Sequence, residues 1–399
     1  MDKQARQYRR WTMWTVLLAA LISMGWRAWA VLQLHRGKMS QLILQLVIFA
    51  VFTVFLYLFL YHSGHGRWHS VLAYAMSIVF LNLTSILLAD LLTMLHNSTH
   101  LPALIMAPLG ISLMVGIAIL FAKVVLPEIK STLGRTLMLL FVVFSAFGLY
   151  PTMFWSPMGL AKHGILGDVI DTNLMGILMF VLASFVFAPL WHIKLPRWRF
   201  NKNLRWSILL IAVVVGTAYV IFNGFSTADQ WQTLLTHWAV PHYPKLNLFY
   251  QALEAGIGEE WLHRGLIVSL LLTLPQHWAH RSPFTLALIS GAIFGLWHIT
   301  NLVVQNVPAT VNQMISAFGG GLFMAALYFY SGSISLAILM HTMTDLMGFF
   351  ATGTVISTTP NLYQWEITII TTLIFVAAAA MLTMGKQRAV AQQTLDSLT

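Results

Sequence analysis

Apolar runs long enough to cross a bilayer recur along almost the whole chain. They lie at roughly 11–32, 39–61, 70–95, 103–125, 136–151, 170–191, 207–223, 247–274, 284–304, 313–331, 333–352 and 365–384. A segment surrounded by hydrocarbon must satisfy its backbone N–H and C=O groups internally, so runs of this length dictate helices. The expected fold is all-α: a polytopic transmembrane helical bundle of about twelve spans. Of 399 residues, 58% are hydrophobic and 9% charged, against roughly a quarter charged in soluble domains. No polar stretch is long enough for a separate soluble domain. The opening "MDKQARQYRR" and "WTMWTVLLAALISMGW" precede no small-residue cleavage site, and are read as a first span that stays attached. The 136–151 run is short, and "PTMFWSPMG" after it reads as partly interfacial.

Charge orients the bundle. There are 22 Lys and Arg against 12 Asp and Glu, a formal balance of +10. In a soluble protein that excess points to nucleic acid; here the basic residues sit in short loops, and membrane orientation accounts for them. The expected partner is the lipid bilayer, with no nucleic acid. With twelve spans, the clusters at Lys3 to Arg10, Arg67, Lys130 and Arg135, Lys194 to Arg205, Arg281, and Lys386 and Arg388 fall on one side. That side is read as cytoplasmic, with both termini on it, in a multi-pass protein of the cell membrane. Arg36 and Lys38 run against the pattern. The chain has no cysteine, which removes disulfides, thiolate metal ligands and a cysteine nucleophile. In the first half Asn82, Thr84, Ser85 and Asp90 interrupt one span, and Asp90 reads as a lone acid serving helix packing or transport.

From residue 254 onward, polar residues enter the predicted spans in three sets. In "EEWLHR", Glu259 and His263 are four apart, as are Glu260 and Arg264, so each pair stacks on one helical face and the faces lie about 100° apart. Arg264 neutralises Glu260 and reduces the cost of its charge in lipid. Glu259 is then left as a base or a ligand. In "SGAIFGLWHITN", Phe294 and His298 share a face, Asn301 follows, and Gly291 and Gly295 form a small-xxx-small surface for close helix approach. In "ILMHTMTDLMGF", His341 and Asp345 share a face, and each needs a partner in hydrocarbon. Thr342 and Thr344 are read as bonding locally to the backbone. Three helices that turn such faces to one cavity bring a carboxylate and an imidazole together to deprotonate water. A second imidazole is then available to stabilise an oxyanion. No glycine-framed serine nucleophile is evident.

The order, spacing and membrane setting of these sets resemble the CPBP intramembrane protease family. That family includes CAAX-prenyl endopeptidases and bacterial abortive-infection or bacteriocin-immunity proteins. Its motifs EExxxR, FxxxH and HxxxN or HxxxD read here as Glu259, Glu260 and Arg264; Phe294 and His298; and His341 and Asp345. The resemblance covers roughly 245–350 and implies a glutamate-type protease without a cofactor. Glu259 with His298 would activate water, His341 with Asp345 would form the oxyanion site, and Arg264 would order Glu260. Asn301 would have a supporting role. Asp345 stands where some members have Asn; it would work protonated, or by orienting His341. The implied substrate is a membrane-associated or lipidated peptide or protein.

Zinc is the chemical alternative, with Glu259, His263, His298 and His341 as its ligand set. "EEWLH" lacks the HExxH spacing, and His263, outside the family motifs, is read as a helix-surface or channel residue. A proton-coupled transporter and a non-catalytic immunity or binding protein are the competing classes. The expected organisation is a multi-span region at 1–230, a protease core at 245–352, and a final span with a cytoplasmic tail at 353–399.

Overall fold

The computed structural model describes residues 3–34, 38–62, 66–140, 169, 172–274 and 282–399. Arg36, Arg281, the "PTMFWSPMG" segment and most of the 136–151 span lie outside them. Among the described residues, nine helices are long and apolar enough to cross a membrane, and a shorter apolar helix covers Leu174–Leu190. The protein is an all-α, polytopic membrane protein. The chain forms two compact units, Met1–His192 and Ile193–Thr399.

The first unit contains α1 (Lys3–Leu32), α2 (Met39–Tyr57), α3 (Arg67–Thr99), α4 (Ala103–Val124), α5 (Thr132–Met138) and α6 (Leu174–Leu190). Helix α1 packs on α2, α3 and α4, and α4 packs on α6. Asp90 is not the lone acid expected from the sequence. Arg27 of α1 grips both of its carboxylate oxygens, one from Nε at 2.6 Å, and turns Nη1 to Gln45 of α2 at 2.8 Å. An unpaired carboxylate among apolar helices is costly, so a partner three helices can share fixes their packing. Glu128 plays the same part, with Arg9 at 3.1 Å and His69 at 2.9 Å. Asn82 and Thr84 bond back to Ile78 and Phe80 on their own helix.

The second unit contains α7 (Trp206–Phe225), α8 (Leu246–Glu260), α9 (Val268–Leu272), α10 (Pro283–Trp297), α11 (Val307–Ser331), α12 (Ile334–Thr352), α13 (Leu362–Thr383) and α14 (Arg388–Leu398). Helix α11 is its axis: α7, α10, α12, α13 and α14 all pack on it. The reason is in the sequence. Leu322 to Tyr330 is apolar on every side, and such a stretch is stable only when enclosed; all nine residues are buried. Gly291 and Gly295 face α11 so closely that a Cβ would stand 2.8 Å from Leu322 N or Met314 O. Helix α8 approaches α12 in the same way, since a Cβ on Gly256 would lie 2.0 Å from Thr342 Oγ1. This contact brings the two glutamates of "EEWLHR" against His341.

Asp90→Ala leaves Arg27 without its carboxylate, and is expected to lower stability by about 1–3 kcal/mol, discounted for partial exposure. Adding Arg27→Met should recover much of that loss. Thermal unfolding of purified protein in detergent checks both; a double variant no better than Asp90→Ala would show that the pair is not what holds these helices.

Candidate active site

Helix α8 ends at Glu260, and the chain widens into a π-helical turn over Trp261–Ile267 before α9 resumes. The sequence spacing had implied one uninterrupted α-helix through 247–274; the structure corrects this. A π turn takes an extra residue and recurs at functional sites. Glu260 points inward and is 0% exposed. Its Oε2 lies 3.1 Å from Arg264 Nε, and its Oε1 is 2.7 Å from His341 Nδ1. Arg264, equally buried, donates Nη2 to Gly321 O at 2.9 Å and lies 4.4 Å over the Phe294 ring. A side chain at Gly321 would displace both, because its Cβ would stand 2.7 Å from Phe294 Cδ1 and 3.0 Å from Arg264 Nη2. The bare backbone of α11 is therefore part of the guanidinium's socket.

His341 is shared by more carboxylates than its own helix supplies. Glu260 occupies Nδ1, while Nε2 lies 3.4 Å from Asp345 Oδ2 and 3.8 Å from Glu259 Oε2. Sequence spacing pairs His341 with Asp345 alone; the Glu260 contact crosses from α8 to α12 and has no local signature. An acceptor on Nδ1 and two carboxylates facing Nε2 make His341 a donor from both nitrogens.

His298 is set by a helix end. After Trp297 the chain tightens to a 3₁₀ turn, His298–Val303, and the His298 backbone N–H turns to the Gly295 and Leu296 carbonyls. Phe294 O is instead bonded by the His298 ring, Nδ1 to O at 2.9 Å. A carbonyl only accepts, so Nδ1 carries hydrogen and the lone pair of the neutral ring is on Nε2. The neutral His298 ring therefore has its acceptor at Nε2.

These residues meet at a cavity of about 520 Å³. Glu259, Glu260, Phe294, His298, His341 and Asp345 all line it, with Asn301 nearby on its wall. Arg264 stands behind Glu260, not on the wall. His263 corrects its sequence-based assignment to a helix surface or channel. It is 0% exposed, bonded through Nδ1 to Glu259 O at 2.9 Å, and packed edge-on to Phe294 and Trp297. Among the described residues no three or more His, Asp or Glu converge to hold a metal ion. The zinc set proposed from the sequence is not assembled, because His263 is turned into the packing and lies off the cavity wall.

Sequence motifs missed other parts of the wall. Tyr219 and Asn223 come from α7, Phe375 from α13, Gln313 from α11, and Thr354 to Thr358 from the segment after α12. The only signal of Asn223 and Gln313 is polar character inside an apolar run, which they share with residues that do nothing more than bond locally, and Phe375 carries no signal at all.

Residues 241–347 match the family model described as type II CAAX prenyl endopeptidase Rce1-like. The match contains all three polar sets and leaves out α7 and α13. No curated protein and no solved structure matches the chain.

Arg264→Ala would strand Glu260 in a dry site, and is expected to cost about 3–5 kcal/mol of stability, as breaking a buried ion pair does. Arg264→Lys should recover part of this, losing the donor to Gly321 O. Detergent thermal unfolding of the two variants reads it; an Arg264→Ala protein as stable as wild type would remove the buttress from the account.

Proposed function

Because residues 241–347 are a Rce1-like domain of the CAAX/CPBP protease family, we propose that the protein is an intramembrane endopeptidase. It hydrolyses a peptide bond of a membrane-associated or lipidated peptide or protein, with Glu259 and His298 activating the water. The observation that carries this reading is one cavity wall holding Glu259, Glu260, His298, His341 and Asp345 while Arg264 braces Glu260 from behind. Glu259 is the carboxylate left for chemistry, since Glu260 is taken by Arg264 and His341.

Water held at Glu259 and His298 gives a proton to that pair as its oxygen attacks the scissile carbonyl carbon. The carbonyl electron pair moves to oxygen, and the His341 Nε2–H faces the resulting oxyanion. Asp345 Oδ2 faces the same Nε2–H and holds the ring until the oxyanion takes that hydrogen, so Asp345 acts only as an acceptor, which accommodates Asp where an Asn donor would otherwise act. Collapse of the tetrahedral species re-forms the carbonyl and breaks the C–N bond. The proton held by the Glu259–His298 pair passes to the leaving amine. The twelve-span arrangement with both ends in the cytoplasm belongs to the same proposal. The nine long helices, the shorter Leu174–Leu190 and the helix carrying Glu259 support it, and the 136–151 run, most of it outside the described residues, is the twelfth by sequence alone.

Wild type in liposomes, given a library of membrane-associated and lipidated peptides, should cleave a subset. Glu259→Gln and His298→Ala should each lower the rate about 10²–10⁴-fold, and His341→Ala about 10²–10³-fold. A strong zinc chelator should leave wild-type cleavage unchanged. Full cleavage by folded Glu259→Gln, or cleavage abolished by chelator and restored by zinc, would overturn this mechanism.

A further inference from the structure

At the mouth of the cavity four polar groups form a chain that begins with a backbone N–H. Ser357 N donates to Gln305 Oε1 at 2.7 Å. Gln305 Nε2 donates to Gln313 Oε1 at 2.5 Å, and Asn301 Nδ2 donates to the same oxygen at 2.9 Å. Amide O and N atoms are normally interchangeable by a flip, and the network has to decide them. Here it decides all three. The Ser357 N–H cannot accept, so Gln305 presents oxygen to it and nitrogen to Gln313. Gln313 must then present oxygen, and Asn301, meeting that oxygen, must present nitrogen.

The consequence is at the other end of each amide. Among the described residues, Gln313 Nε2 and Asn301 Oδ1 have no hydrogen-bond partner. Both residues line the cavity that holds Glu259 and His298. A donor and an acceptor, locked side by side, match what an extended peptide offers from one residue: a C=O and an N–H directed to the same side. Recognition of this kind grips main chain and ignores side chains. The lock itself comes from the segment after α12, which is tied down a second time by Asn306 Nδ2 donating to Thr359 Oγ1 at 2.6 Å.

We propose that Gln313 is a substrate-positioning residue: its Nε2, with Asn301 Oδ1 beside it, holds the main chain of the peptide next to the scissile bond. This rests on the peptidase reading above and deepens it. Gln313 orients the substrate and takes no part in proton transfer, so it acts on substrate affinity.

The test uses the membrane peptide cleaved fastest by wild type, together with analogues in which each backbone amide flanking the cut is replaced in turn by an ester. Gln313→Glu keeps an Oε1 for Asn301 and Gln305 and replaces the Nε2 donor with a second carboxyl oxygen; Gln313→Leu removes both. The expected result is a KM raised about five- to tenfold in both variants with kcat within twofold, the range of one neutral hydrogen bond. The ester whose weakened C=O faces Gln313 Nε2 should raise the wild-type KM severalfold and cost Gln313→Glu little further, whereas the ester that deletes the N–H facing Asn301 Oδ1 should cost both proteins alike. A purely structural role predicts the opposite order, with Gln313→Glu rescued to wild-type KM and only Gln313→Leu impaired. That result, or the finding that every ester penalty is undiminished in Gln313→Glu, overturns the inference and leaves the peptidase reading standing. If Gln313→Leu does not fold, Gln313→Glu decides alone. A well-folded wild type that cleaves no peptide overturns both.

Discussion

The polar cavity wall of the second unit depends on the Glu260 carboxylate held between Arg264 and His341. A charge cut off from water is tolerated only with partners on its lone pairs, and here the partners lie on different elements. His341 ties α8 to α12, and Arg264, through Gly321 O, ties the π turn to α11. Three helices are thus registered around one side chain. Glu259 is the neighbouring residue, about 100° round the helix, so fixing Glu260 inward also fixes which way Glu259 faces. The second glutamate does no chemistry in this scheme, yet it decides what the first can reach.

The approach that makes this possible is steric before it is electrostatic. Gly256 lets α8 close on α12, Gly291 and Gly295 let α10 close on α11, and Gly321 leaves room for a guanidinium above an aromatic ring. Small residues are how helices approach closely where no hydrophobic drive exists between them. The polar contacts then form over distances that a leucine at any of these positions would forbid.

Much of this was legible in the sequence, and the limits have physical causes. Glu260 with Arg264, and His341 with Asp345, are four apart on their own helices, so their pairing is a local matter that spacing reports. The pairing of His341 with Glu260 is not local; 81 residues separate them, and only packing of α8 on α12 creates it. Asp90 read as a lone acid for the same reason, since Arg27 lies on another helix 63 residues away. His263 misled through an assumption about regularity. In an unbroken α-helix it stacks on Glu259 and faces what Glu259 faces. In the π turn its ring instead caps the Glu259 carbonyl and packs behind Phe294. Tyr219 and Asn223 on α7 were invisible as site residues because the apolar run around them is ordinary.

Two departures from α-helical geometry do related work. At the end of α10 and at the end of α8, a histidine four residues on takes a backbone carbonyl with its own Nδ1. Both rings are thereby fixed in one tautomer with the lone pair on Nε2, yet only His298 lines the cavity, while His263 Nε2 is buried. The difference is Phe294. Its ring stands 4.9 Å from His263, 4.9 Å from His298 and 5.7 Å from His341, edge-on to each, with Arg264 over its face. An apolar ring at the centre keeps three imidazoles and a guanidinium apart without offering any of them a proton. It separates the buried His263 from the two histidines on the cavity wall. In the proposed mechanism a proton taken at His298 would therefore have no relay through the packing and would stay at the cavity, and the phenylalanine of the FxxxH motif would act as an insulator.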